Sequence, residues 1–202
     1  MHNGIDTHRF KAAEKSINFE SRPLKTISVG RLFPVKQVDQ IISWVAAMKE
    51  SGVDIQHEHA GKGPEMENLV AKVEKLGLEK EFIFKGNVND VPSFMSTAQL
   101  FVHAARFEGC PNVIMEAMAC GLPILSSNAG DTSFIVDHGE NGYVFEIDDT
   151  EAMLSLGLEM ASKPDLLATF ADNGQIKAKD NFGISQYVKA VREAYSKMKI
   201  SI

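Results

Sequence analysis

Leu100-Phe101-Val102-His103-Ala104-Ala105-Arg106-Phe107-Glu108-Gly109-Cys110-Pro111-Asn112-Val113-Ile114-Met115-Glu116-Ala117-Met118-Ala119-Cys120-Gly121-Leu122-Pro123-Ile124-Leu125-Ser126 is the stretch from which the architecture follows. Leu100 to Val102 is a short unbroken apolar run, the pattern of a strand buried on both faces. Pro111 to Cys120 reads as a helix, with Pro111 preset for its first turn. That helix is apolar all round, as a buried helix is, except at Glu116. Pro123 to Ser126 is again a strand. Strand, helix and strand in this order make a βαβ unit and call for a parallel sheet.

The same alternation extends in both directions. Upstream, Thr26 to Val29 is a strand closed by Gly30, and Val38, Ile41, Ile42, Val45 and Met48 recur at helical spacing. A second strand is expected over Asp54 to Ala60, a helix from Pro64 to Leu76, and a third strand at Phe82 to Phe84. Downstream, Gly142 to Phe145 reads as a sixth strand, followed by helices at 150–162, 164–180 and 184–199. The whole is an α/β chain with a Rossmann-like parallel sheet and helices on both faces. Residues 1–25 are polar and irregular and are expected to be a linker, 26–180 the sheet domain and 181–202 a terminal helix. Ile55-Gln56-His57-Glu58-His59 fits poorly, being too polar for a central parallel strand. Its two histidines share a face; without a third ligand in view, two hydrogen-bonded histidines near the sheet surface are preferred to a metal site.

The chain has 202 residues, 44% of them hydrophobic and 24% charged, with a formal net charge of −6. It can bury a core without staples, and its charge disfavours nucleic acid and anionic membranes as partners. Cys110 and Cys120 lack metal-ligand spacing and read as reduced thiols of a cytoplasmic protein. No run approaches the roughly 20 apolar residues of a membrane span, and Met1-His2-Asn3-Gly4 has no secretory pattern.

In parallel α/β sheets, ligands bind beyond the carboxyl ends of the strands, so the loops there are the candidates. After the first strand come Gly30-Arg31-Leu32 and Lys36: one glycine and two cations in place of the Gly-x-Gly-x-x-Gly of a dinucleotide site. Two such cations suit a diphosphate, although either alone reads as an ordinary solvated charge. Gly61-Lys62-Gly63-Pro64 is a glycine-rich turn without the phosphate-loop pattern. Asn87 and Val88, after the third strand, offer backbone groups to a flat base. In the fourth loop Gly109 frees the backbone, and the helix start at Pro111 makes an anion site. Glu116, one carboxylate in an apolar helix, requires either a protein cation or a ligand's hydroxyl groups as partner.

As a set, these motifs resemble the family 4 retaining glycosyltransferases, which have the GT-B fold of two facing Rossmann-like domains. Glu108 and Glu116 have the Glu-x7-Glu spacing of that family. Val29-Gly30-Arg31-Leu32, Gly61-Lys62-Gly63-Pro64, Glu108 to Val113, Glu116 to Pro123, Gly139 to Gly142 and Asn3 to Thr7 are similar to its segments in the same order. The resemblance implies the donor-binding C-terminal half of such an enzyme. Arg31 and Lys36 would then hold the diphosphate of a nucleotide-sugar donor. Glu108 and the backbone of Gly109, Cys110, Pro111, Asn112 and Val113 would meet sugar and phosphates. Glu116 would take the ribose, and Gly30, Gly61, Gly63, Asn87 and Val88 would complete the pocket. It implies hexose transfer to a glycan or lipid-linked acceptor without cofactor or metal. The acceptor, and any membrane contact, would belong to an N-terminal domain outside this chain, without which it would be inactive. Ala105 for a usual serine, Gln37 for a usual glycine and Ala129 to Ser133, which lacks an expected acid, depart from the pattern and bear on donor specificity. A non-catalytic nucleotide-binding subunit that assembles with a separate acceptor-binding protein is the alternative. An NAD-dependent enzyme is disfavoured by the missing glycine fingerprint.

Overall fold

The computed structural model describes residues 3–12 and 17–197. Six strands, β1 (Leu24–Val29), β2 (Ile55–Ala60), β3 (Phe82–Gly86), β4 (Leu100–His103), β5 (Ile124–Ser127) and β6 (Gly142–Phe145), form one sheet in the order 3-2-1-4-5-6. Every neighbouring pair is parallel. The crossovers are helices α1 (Val38–Glu50), α2 (Met66–Lys75), α3 (Val91–Met95), α4 (Asn112–Ala119) and α5 (Thr132–Ile135); α6 (Thr150–Ser162), α7 (Pro164–Phe182) and α8 (Ile184–Lys197) follow. This is the expected Rossmann-like α/β fold. The short α3 and α5 escape the sequence reading because five and four residues complete too little of the helical period to show one.

Alternation of side chains across the strands divides the interior in two. Leu24, Ile55, Leu100, Val102, Leu125 and Tyr143 face one core, shared with Ile42 and Val45 of α1, Val73 of α2 and Met153 of α6. Ile27, Phe101 and Ile124 face the other, where they meet Phe94 of α3, Ile114, Met115 and Met118 of α4, and Ile135 of α5. Helix α7 contributes to both, with Leu167 and Phe170 in the first core and Ala178 and Phe182 in the second. Ile5 and Phe10 are buried in the second core, and Ile5 exchanges backbone hydrogen bonds with Phe182 and Ile184.

Strand β2 corrects one expectation. It pairs with β1 and with β3 and is a full member of the sheet. His57 and His59 lie not near the surface but at 0% and 1% exposure. The sheet tolerates them because their register partners on β1 are Thr26 and Ser28, whose hydroxyls satisfy the rings. A second correction concerns Pro64, which precedes α2 instead of standing in its first turn. The turn before it is tied to the loop after β1, through Leu32 N–H to Lys62 C=O and Glu65 N–H to Leu32 C=O.

The order places β1 beside β4, with connections leaving to opposite sides. That is the switch point at which such sheets open a crevice beyond their carboxyl ends. The loops flanking it are those after β1 and after β4.

Candidate active site

The loop after β1 leaves the sheet at Gly30, whose N–H donates to Ala60 C=O at 3.0 Å, and ends in a tight turn over Pro34–Lys36. The loop after β4 runs from Ala104 to Pro111 and is fixed from three sides. Ser127 Oγ accepts from Ala105 N–H at 2.9 Å and donates to Ala105 C=O at 3.0 Å. Arg106 N–H donates to Val35 C=O, joining it to the β1 loop. Asp131 N–H donates to Gly109 C=O at 2.9 Å. At Gly130, with φ +58, a Cβ would stand 2.4 Å from both Glu108 and Gly109 carbonyl oxygens, so only glycine lets the two loops touch.

This scaffold brings Lys36 and Glu108 together. The Lys36 ammonium donates to Glu108 Oε1, and His103 Nε2 donates to the same oxygen at 3.0 Å. Among the described residues no hydrogen bond reaches Glu108 Oε2. Burial by itself would raise the Glu108 pKa, but the hydrogen bonds from His103 and Lys36 outweigh it and hold it down to about 2. These two donors favour the ionised carboxylate and leave its second oxygen without a hydrogen bond among the described residues. His103 is absent from the expected site. Its signal in the sequence is a histidine closing an apolar strand five residues before Glu108.

Arg31 is exposed, and its guanidinium lies 5.1 Å from the centre of the Phe33 ring. It makes no ion pair among the described residues and stands at the loop's surface. Gln37 follows Lys36 in a left-handed conformation, φ +41 and ψ +38. This explains why a glycine suits that position. Gln37 Nε2 donates to Asp148 Oδ1 at 2.6 Å, and Arg106 pairs with Asp148 Oδ2 at 2.9 Å, which ties both flanking loops to the segment after β6.

Helix α4 starts at Asn112 with Pro111 ahead of it and no side chain capping its amides. The Asn112 side chain instead accepts from Asn3 Nδ2 at 2.9 Å. Val113 is half-buried, and Cys110 is a half-buried free thiol. One turn further, Glu116 is half-buried, and its carboxylate has no hydrogen bond or ion pair among the described residues. Burial raises its pKa, with Arg9 opposing. Of the two partners open to it, no protein cation among the described residues is in direct contact with its carboxylate. Burial and the nearby Glu116 charge push the Cys120 thiol up to about 12, so Cys120 is inert.

Gly61 and Gly63 line the crevice less than they support it. A Cβ on Gly61 would lie 1.8 Å from Gly30 C=O, and one on Gly63 2.2 Å from Leu32 C=O. Their first task is to let this turn lie against the β1 loop. Asn87 is exposed and Val88 half-buried against the second core, after the edge strand β3.

Residues 10–177 match the glycosyl transferases group 1. The chain belongs to that family. It is 31% identical to an uncharacterized glycosyltransferase of Haemophilus influenzae, over 82% of this chain and 47% of that protein. It is 28% identical to the lipopolysaccharide core biosynthesis mannosyltransferase LpsB of Rhizobium meliloti, over 96% of this chain and 59% of the other. The chain thus spans about half the length of these curated relatives. Among solved structures, the C-terminal domain of the group 1 protein LpcC from Francisella tularensis is 25% identical with a TM-score of 0.79, covering 90% of this chain and 100% of that one. HepE of Anabaena in complex with UDP has the same fold at 23% identity and a TM-score of 0.86, covering 96% and 56%. No helix among the described residues is long and apolar enough to cross a membrane.

Proposed function

We propose that this group 1 domain binds the nucleotide diphosphate sugar donor of a retaining hexosyltransferase at the crevice between β1 and β4. The observation that carries this reading is the pair of carboxylates eight residues apart at that edge. Among the described residues, Glu108 is anchored through one oxygen with no hydrogen bond to the other, and the half-buried Glu116 carboxylate has no hydrogen bond or ion pair. Hydroxyl-rich ligand groups satisfy both; a half-buried carboxylate without them carries an uncompensated cost. Arg31 and Lys36 supply the positive charge that a departing diphosphate needs, so the reading assigns no metal. The uncapped start of α4, with Gly109 to Val113, would take phosphate and sugar oxygens, Glu116 the ribose, and Asn87 and Val88 the base. The acceptor, a glycan or a lipid-linked sugar, would be positioned by a facing domain, and sugar transfer would need both.

Isothermal titration of the 202-residue chain with UDP, GDP, ADP and their sugars tests the reading. Saturable binding of at least one series, lost in Glu116→Ala with the fold intact, is expected. No binding of any nucleotide at millimolar concentration would overturn it.

A further inference from the structure

On the face of the sheet turned to α1 and α2, four polar side chains stand in an otherwise apolar layer. Thr26 Oγ1 lies 2.8 Å from His57 Nδ1, and His57 Nε2 lies 2.8 Å from Ser28 Oγ. Ser28 Oγ lies 2.7 Å from His59 Nδ1, and His59 Nε2 lies 3.1 Å from the carbonyl oxygen of Gly30. The last contact decides the direction of all the others. A carbonyl oxygen only accepts, so His59 Nε2 carries the hydrogen. With the rings neutral, as burial favours, His59 Nδ1 then accepts from the Ser28 hydroxyl, Ser28 accepts from His57 Nε2–H, and His57 Nδ1 accepts from Thr26, whose hydroxyl is 2.8 Å from that nitrogen and 3.5 Å from the Gln56 carbonyl. The result is a one-way chain with both rings neutral and both hydrogens on Nε2. Burial supports this state by pushing His59 down to about 4 and His57 well below the usual histidine range.

The chain ends on the first residue of the β1 loop, the one that carries Arg31 and Lys36. Gly30 C=O is confined from a second side by Gly61. We propose that His59, oriented through Ser28, His57 and Thr26, is a positioning residue that holds the Gly30 carbonyl and so sets the phosphate-facing loop from Gly30 to Lys36. Stability alone gives no reason for the arrangement, because apolar groups of the same shape replace a buried polar network at little or no loss. An oriented donor at Gly30 is what apolar groups cannot supply. The effect on ligands rests on the donor reading above; the orientation of the rings does not.

Long-range proton–nitrogen NMR correlation of the histidine rings in the whole chain is expected to show His57 and His59 neutral, each protonated at Nε2 and bare at Nδ1. A His59 ring protonated at Nδ1, or averaging between tautomers, would overturn the proposal. For ligands, UDP, GDP and ADP and the matching nucleosides are titrated into wild type, His59→Leu and His59→Gln. His59→Leu is expected to weaken the diphosphate about tenfold and the nucleoside less than twofold. His59→Gln, whose amide can donate to Gly30, is expected to regain most of the loss. If His59→Leu fails to fold, Ser28→Ala carries the test through a smaller loss of the same selectivity. Equal affinity of a folded His59→Leu and wild type for the diphosphate would overturn the proposal. A wild type that binds no nucleotide would overturn the donor reading instead, leaving the ring nitrogens to decide the orientation of Gly30.

Discussion

The histidine chain under β1 and the Lys36–Glu108–His103 cluster above it both hang on the same loop, yet one is closed and the other open. In the chain, both ring nitrogens of His57 and His59 have partners and both residues are at most 1% exposed. In the cluster, the Lys36 and Glu108 side chains keep 25% and 12% exposure, two donors share Oε1, and no hydrogen bond among the described residues reaches Oε2. A closed network spends all its hydrogen bonds on shape. An open one keeps a charged acceptor at the carboxyl edge of the sheet, and under the proposals above that difference separates the group that sets the loop from the groups that would meet a ligand.

The sharpest break is His57→Ala. It leaves a cavity and strands the Thr26 and Ser28 hydroxyls, so urea unfolding is expected to show a loss of about 3 kcal/mol. Acid should distinguish the two regions next. Burial holds His59 near 4 in the fold against 6.5 outside it, so the unfolded chain binds more protons between those values. That part of the stability is complete above pH 6.5 and is lost as pH falls toward 4, about 3 kcal/mol for a shift of this size. Glu108, held near 2, contributes stability that is complete above about 4.5 and is lost only as pH falls from there toward 2. Unfolding measured from pH 7 to 5.5 should therefore slope downward, and His59→Gln should reduce that slope, with buried His57 supplying the remainder, while Glu108→Gln leaves it nearly unchanged.

On the open side, Glu116→Ala should leave the melting temperature unchanged or raised, since it removes a half-buried carboxylate that has no ion pair among the described residues. Nucleotide affinity should fall by about 1–3 kcal/mol, as for hydrogen bonds to a charged group. Unchanged affinity would place the ligand elsewhere. Arg31→Ala and Lys36→Ala should shrink the step in affinity from nucleoside diphosphate to monophosphate to nucleoside, by about 1.5–3 kcal/mol in all, through loss of a charge-assisted bond. Equal losses for all three ligands would point to damage away from the phosphates. The smallest effect is expected at Gln37→Gly, where relief of the left-handed backbone, about 1 kcal/mol, opposes loss of the bond to Asp148. Stability should move by less than about 1 kcal/mol.

Local pattern determined a great deal of this protein. Short apolar runs alternating with helical periods were enough for the parallel sheet, for β6 at Gly142–Phe145 and for α6 at Thr150–Ser162, because strand and helix each repeat within a few residues. Glu116 stood out for the same reason, since a charge breaks an apolar helical period visibly, whereas Glu108, in a polar loop, was marked by its spacing from Glu116 in the family's Glu-x7-Glu pattern. Only the tertiary structure decided who answers to whom. His57 found its partners about 30 residues away on β1, Lys36 met Glu108 across 72 residues, and Gly61 made room for a carbonyl on another loop. None of these leaves a periodic trace, since a hydrogen bond or a close approach between distant segments depends on strand register and order, which exist only once the sheet has formed.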